Sequence, residues 1–131
     1  MTQPRVVLIA DDDDLLQAVL VHKLAAVGYE VVIADNGRVA LERLEVVKPD
    51  VIVLDAMMPV MDGFEVLRRL KADPNEAISS IPVVMLTALR RDSDVVTALN
   101  LGAADYLSKP FNPDELVARL ARFAPQAKRR A

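Results

Sequence analysis

Apolar runs of strand length alternate with amphipathic stretches of helix length along almost the whole chain, and that rhythm restricts the fold more than any other feature. The strand-length runs are RVVLIA (5–10), EVVIA (30–34), VIVL (51–54), IPVVML (81–86) and the shorter DYLS (105–108). The first, third and fourth are apolar almost throughout, as central strands of a parallel sheet must be when both faces are covered. Five such runs with helices between them define an α/β domain of five βα units, a doubly wound five-stranded parallel sheet.

The intervening stretches carry their own start and stop signals. Leu15, Leu16, Val19, Leu20 and Leu24 form one helical stripe, which Gly28 ends. Val39, Leu41 and Leu44 mark a second helix that stops before Pro49. A third begins in MDGFEVLRRLKA, with Asp62 as N-cap and Glu65 at capping-box spacing. The fourth runs from about Asp92 to Leu101, and Gly102 closes it. The fifth opens with NPDEL: Asn112 caps, Pro113 takes the first helical position and Glu115 the third.

Length and composition narrow the function. At 131 residues the chain suits one compact domain, read as 1–123, with 124–131 as a tail or the start of a linker. Aromatic residues make up only 4%, too few for a base-stacking surface. The net charge of −3 gives no reason to expect direct nucleic-acid or membrane binding, and the basic end Lys128–Arg130 is too short to change that. There is no cysteine, hence no disulfide or thiolate metal site, and no apolar stretch near the roughly 20 residues that span a bilayer. These features point to a cytoplasmic protein.

In a doubly wound sheet, chemistry belongs at the carboxyl ends of the strands. Strand one runs into Asp11 and Asp12, strand three into Asp55, strand four into Thr87 and Ala88, and strand five into Lys109 and Pro110. An aspartate before a helix is ordinarily an N-cap, and Asp13 or Asp14 fills that role. Capping does not use all four consecutive aspartates, Asp11 to Asp14. Asp11, Asp12 and Asp55 instead make an oxygen-rich negative pocket suited to Mg²⁺, a hard cation that keeps several waters and takes one or two carboxylates. Lys109 supplies a positive charge for an anionic oxygen, Thr87 a neutral donor, and the small Ala88 leaves room. Together they describe a site that stabilises a transferred phosphoryl group, with Asp55 as nucleophile and an acyl phosphate as product.

LIADDD at strand one, VIVLDAMMPVMDGFEVLRRL around strand three, IPVVMLTA at strand four and GAADYLSKPFNPDEL at strand five stand in order over about residues 5–123. With them the chain resembles a bacterial two-component response-regulator receiver domain. The resemblance implies a flavodoxin-like fold with strand order 2-1-3-4-5. It implies that Asp55 accepts a phosphoryl group from a sensor histidine kinase or phosphotransfer protein, in a reaction needing Mg²⁺, with Mn²⁺ as a substitute. It makes Asp12 a direct metal ligand, Asp11 one acting through metal-bound water, and Met57 a ligand through its main-chain carbonyl. Thr87 and Lys109 become the groups that contact the phosphoryl, Tyr106 the aromatic switch, and Pro110 a proline with a cis preceding bond.

The same resemblance implies a phosphorylation-switched signalling domain, not a turnover enzyme. Its output domain or downstream protein is engaged through the fourth helix, fifth strand and fifth helix, as a monomer or a phosphorylation-dependent homodimer. Asp105, Glu115 and Arg119 fit the charged pattern of that face, whereas Val95 and Val96 replace an expected charge. Met57 and Leu89, two places after Asp55 and Thr87, offer no polar group to an attacking water, which favours slow self-hydrolysis. Two other classes compete. A haloacid-dehalogenase-type phosphatase shares Asp11-x-Asp13 but wants Thr or Val where Leu15 stands. A phosphorylation-independent module would ordinarily have lost an acidic, Thr or Lys position. The lone His22 is read as a surface residue of the first helix.

Overall fold

The computed structural model describes residues 4–88 and 92–125. Five strands, β1 (Val6–Ala10), β2 (Glu30–Ala34), β3 (Val51–Asp55), β4 (Val83–Thr87) and β5 (Asp105–Ser108), alternate with helices. These are α1 (Asp14–Ala26), α2 (Gly37–Val47), α3 (Gly63–Lys71), the one-turn α4 (Glu76–Ser79), α5 (Asp92–Asn100) and α6 (Pro113–Phe123). The strands form one parallel sheet in the order β2-β1-β3-β4-β5, as the family resemblance implies.

Side chains alternate across a strand, so each central strand feeds two cores. Leu8, Ile52 and Met85 pack with Leu44 of α2 and Leu67 and Leu70 of α3 on one face. Val7, Ile9, Val53 and Leu86 pack with Leu20 and Leu24 of α1 and Leu116 and Leu120 of α6 on the other. Every residue of β3 and β4 is buried, whereas the edge strand β2 is only partly so. Each fully buried Leu or Ile contributes roughly 1.5–3 kcal/mol, and the two layers together hold the sheet rigid beneath its carboxyl edge.

The caps follow the sequence. Asp13 Oδ1 accepts from the amides of Leu15 and Leu16 at 3.0 and 3.1 Å, Asp62 Oδ1 from Glu65 at 2.9 Å, and Asn112 Oδ1 from Asp114 at 2.9 Å. Past α1, Gly28 takes φ 101°, a conformation open to glycine, and Tyr29 N–H reaches back to Leu24 O at 3.0 Å.

Several expectations need correction. Leu15 and Val19 are not core residues: they stand 75% and 37% exposed. At 100° per residue, Leu16, Leu20 and Leu24 form the line that meets the sheet, and Leu15 and Val19 form a parallel line rotated beyond its rim. The capping box at α3 is half made, because the Glu65 carboxylate bonds the charged donors of Arg68 and Arg69 instead of reaching back to the cap. β4 starts at Val83, not Ile81: Pro82 has no N–H to give and only its carbonyl joins the ladder, accepting from Ile52 N at 3.0 Å. The short α4, capped by Asn75, carried no periodic signal in four residues. β3 and β4 extend one residue further than read, so Asp55 and Thr87 are the last residues of their strands. Leu89 and Lys128–Arg130 lie outside the described residues.

Candidate functional site

Four strand ends meet along one edge of the sheet. Asp11 continues β1 by one rung, its N–H donating to Ala34 O at 3.1 Å. It is fully buried, and both carboxylate oxygens are engaged: Oδ1 accepts from Asp13 N at 2.9 Å and Oδ2 from Lys109 Nζ at 3.0 Å. Asp12, one residue on, is exposed. Asp55 is only 4% exposed; its Oδ1 accepts from Met57 N at 3.3 Å, and its Oδ2 lies 3.4 Å from Lys109 Nζ. Carboxylate oxygens of Asp11, Asp12 and Asp55 come within 4.8 Å of one another, a cluster able to hold a divalent cation.

The loop after β3 wraps closely over Asp55. Gly63 N donates to Ala56 O at 2.9 Å, and a Cβ on Gly63 would stand 2.2 Å from the Asp55 carbonyl oxygen. Only glycine admits α3 this close to the strand end. On the other flank, Lys109 N donates to Thr87 O at 2.7 Å, which brings β5 beside β4, and the Lys109–Pro110 bond is cis. Thr87 is fully buried and its side chain is hydrogen-bonded to Tyr106, whose ring packs partly buried against the core cluster of Met85 and Leu54. Ala88 is exposed and lines, with Asp13, Leu16, Lys109, Pro110 and Phe111, a pocket of about 410 Å³.

Burial dominates the electrostatics. Withheld solvent, and after it the charge of Asp11, push the Asp55 carboxyl up to about 6, against the opposing pull of Lys109 and the Met57 N–H. Burial by itself would lower Lys109, but Asp11 and Asp55 more than offset it, so its pKa is raised and it stays charged. Three carboxylates against one ammonium leave two uncompensated negative charges in an oxygen-only donor set, which is the balance a hard divalent ion meets.

Asp11, Asp12, Asp55, Thr87, Ala88, Lys109 and Pro110 all stand at this edge, Tyr106 lies two rungs below it beside Met85, and Met57, 59% exposed, flanks it. His22 is exposed on α1. Two further residues adjoin this edge. Asp35 follows β2 as Asp11 follows β1, and Gln17 of α1 donates from Nε2 both to the Asp11 carbonyl and to Asp35 Oδ1 at 3.0 Å. Asp35 had a signal in its place after EVVIA; Gln17, a polar residue on a helix, had none.

Fold and site together define a doubly wound α/β domain with a cation-capable acidic cleft at the switch side of its sheet. The chain belongs to the response regulator receiver domain family, whose model matches residues 7–121. As a receiver domain it is a signalling switch, not a turnover enzyme. It is 41% identical over 114 residues to the alkaline phosphatase synthesis transcriptional regulatory protein PhoP of Bacillus subtilis (strain 168), covering 87% of this chain and 46% of that protein. It is 42% identical over 117 residues to the transcriptional regulatory protein CrdR of Helicobacter pylori, covering 89% of this chain and 54% of that one. The chain thus spans about half the length of the curated relatives it matches. Among solved structures, it superposes on chemotaxis protein CheY4 of Vibrio cholerae with TM-score 0.85 and 34% identity, covering 92% and 99% of the two chains. For the receiver domain of Francisella response regulator 1452 the TM-score is 0.84 and the identity 34%, over 93% and 97%. Among the described residues, no helix is long and apolar enough to cross a membrane.

Proposed function

We propose that Asp55 is the phosphoacceptor of a two-component signalling switch. The observation that carries this reading is a buried Asp55 carboxylate, at a strand end, sharing the Lys109 ammonium with Asp11 beside the exposed carboxylate of Asp12. An Asp55 oxygen attacks the phosphorus of a phosphohistidine on a sensor histidine kinase or phosphotransfer protein. The P–N bond breaks, its electron pair leaves with the imidazole, and Asp55 becomes an acyl phosphate. With its pKa raised only to about 6, Asp55 is still predominantly the ionised nucleophile at pH 7. Lys109 pairs with a phosphoryl oxygen and the Thr87 hydroxyl donates to another.

Asp11, Asp12 and Asp55, with the main-chain carbonyl of Met57, would hold Mg²⁺ or, in its place, Mn²⁺. When bound, the cation supplies charge neutralisation at the transferred oxygens. The chain's own part is to fix the carboxylates and keep Lys109 charged.

Phosphorylation adds roughly two negative charges beside Lys109 and Thr87. Thr87, drawn to the phosphoryl, exchanges its bond to Tyr106, and the ring follows into the space left behind, biasing α5. The output domain or downstream protein reads the face of α5, β5 and α6, where Val96 and Leu99 are exposed and Arg119 Nη1 holds both Asp105 oxygens at 2.9 Å. A phosphorylation-dependent homodimer would use the same face. In this reading residues 1–123 form the receiver, 124–131 a tail or the start of a linker, and the setting is cytoplasmic. Incubation with Mg²⁺ and acetyl phosphate, followed by mass spectrometry, tests it: one phosphoryl group is expected, absent in Asp55→Asn. No adduct in the parent protein, or one that survives the substitution, overturns it.

A further inference from the structure

The geometry points to Gln17 as a positioning residue that fixes the peptide joining Asp11 to Asp12, an inference that rests on reading these carboxylates as a cation site. Asp11 is the last residue of β1's ladder with β2: its N–H bonds Ala34 O at 3.1 Å, one rung past the Ala10–Ala34 pair. Its carbonyl points beyond the paired strand, and the residue is fully buried, so water does not satisfy it. The Gln17 side-chain amide takes the place of the missing rung, donating to that carbonyl and, with the same Nε2, to Asp35 Oδ1 at 3.0 Å. Asp35 thereby orients the amide, tying α1 and the loop after β2 to the loop after β1.

The peptide so held is the one between the two acids. Asp11 is secured on every side, by Ala34, Asp13, Lys109 and Gln17. Asp12 is exposed, so its direction is inherited from the plane of the preceding peptide. Rotation of that plane would swing the Asp12 carboxylate away from Asp11 and Asp55 without disturbing either. Gln17 touches no reacting atom; it acts through the backbone of the metal-site acids, as outer-sphere partners orient ligands elsewhere.

Gln17→Met keeps the size of the side chain and removes both donors. Isothermal titration with MgCl₂ is expected to show affinity weakened roughly 10-fold. Leu24→Val, which loosens the buried face of the same helix, is expected to lower the melting temperature yet leave Mg²⁺ affinity unchanged within about twofold. In metal-free protein, ¹H–¹⁵N spectra of Gln17→Met should show the Asp12 amide displaced, with the amides of β3 unmoved. Unchanged Mg²⁺ affinity in Gln17→Met, an equal loss in Leu24→Val, or an undisplaced Asp12 amide each overturns the assignment. A parent protein that binds no Mg²⁺ while the Asp12 amide still moves overturns the cation-site reading and the metal half of this one, and leaves Gln17 as the holder of the peptide alone.

Discussion

Lys109 Nζ lies 3.0 Å from Asp11 Oδ2, joining residues 98 positions apart in the chain, and Asp11 is buried completely. The same ammonium stands 3.4 Å from Asp55, so a single cation compensates two buried acids. Removing one partner of a buried pair is far costlier than the pair's net worth, because the other charges stay behind without solvent.

Lys109→Met should therefore destabilise the metal-free protein by about 3 kcal/mol, read from urea unfolding. Millimolar Mg²⁺ should recover part of that loss, because it offers the two acids another cation. A loss below about 0.5 kcal/mol would show that the acids do not depend on Lys109.

Asp55 makes the metal-free domain less stable as pH rises. Its folded-state pKa of about 6 lies above the ordinary 3.8, so the folded state binds the proton more tightly than the unfolded chain. Stability from this group is complete below about pH 4 and is lost as pH climbs through 6, a change of about 3 kcal/mol at most. The contribution is isolated by comparing parent and Asp55→Asn in EDTA: the unfolding free energy of the parent minus that of the variant should fall from pH 4 to pH 7. A constant difference would refute the shift.

Mg²⁺ should raise the melting temperature of the parent at pH 7.5, where the acids repel one another most, and do so little or not at all in Asp12→Ala. Equal responses in the two proteins would place the binding elsewhere.

Val60 adopts φ 72° in the loop over the site, within a tight turn closed by Met61 N to Pro59 O at 2.7 Å. A β-branched residue pays a steric cost there that glycine avoids. Val60→Gly should stabilise the domain by about 0.5–1 kcal/mol, even after glycine's greater unfolded-state entropy. A lower melting temperature would mean that the exposed Val60 side chain makes a compensating contact.

Tyr106 is linked to the strand end beside Asp55 through its hydrogen bond with the Thr87 side chain. Phosphorylation of Asp55 should shift the Tyr106 ring resonances, and Thr87→Ala should abolish that shift while leaving Tyr29, whose hydroxyl donates to Ala124 O at 2.7 Å, unaltered in both. A Tyr106 shift that persists without the Thr87 hydroxyl would require another route.

Features set within a few residues of chain are legible in the amino-acid order alone. Periodicity named all five strands, and short-range hydrogen bonding named the caps Asp62 and Asn112 and narrowed the first to Asp13 or Asp14, because a side chain and an amide two or three positions on meet wherever the chain is placed. Motif order put Asp11, Asp12, Asp55 and Lys109 at one edge, where the structure has them, because strand ends of a parallel sheet share that edge. Which aspartate is buried follows from the assembled sheet: Asp11 and Asp12 are neighbours in sequence, yet one is sealed by Lys109, Ala34 and Gln17 and the other faces solvent. The same assembly turns Leu20 and Leu24 of α1 inward while Leu15 stays out, and brings Gln17 to a carbonyl left over at a strand end. Burial and long-range pairing depend on how distant strands close against one another, and no local pattern encodes that distance.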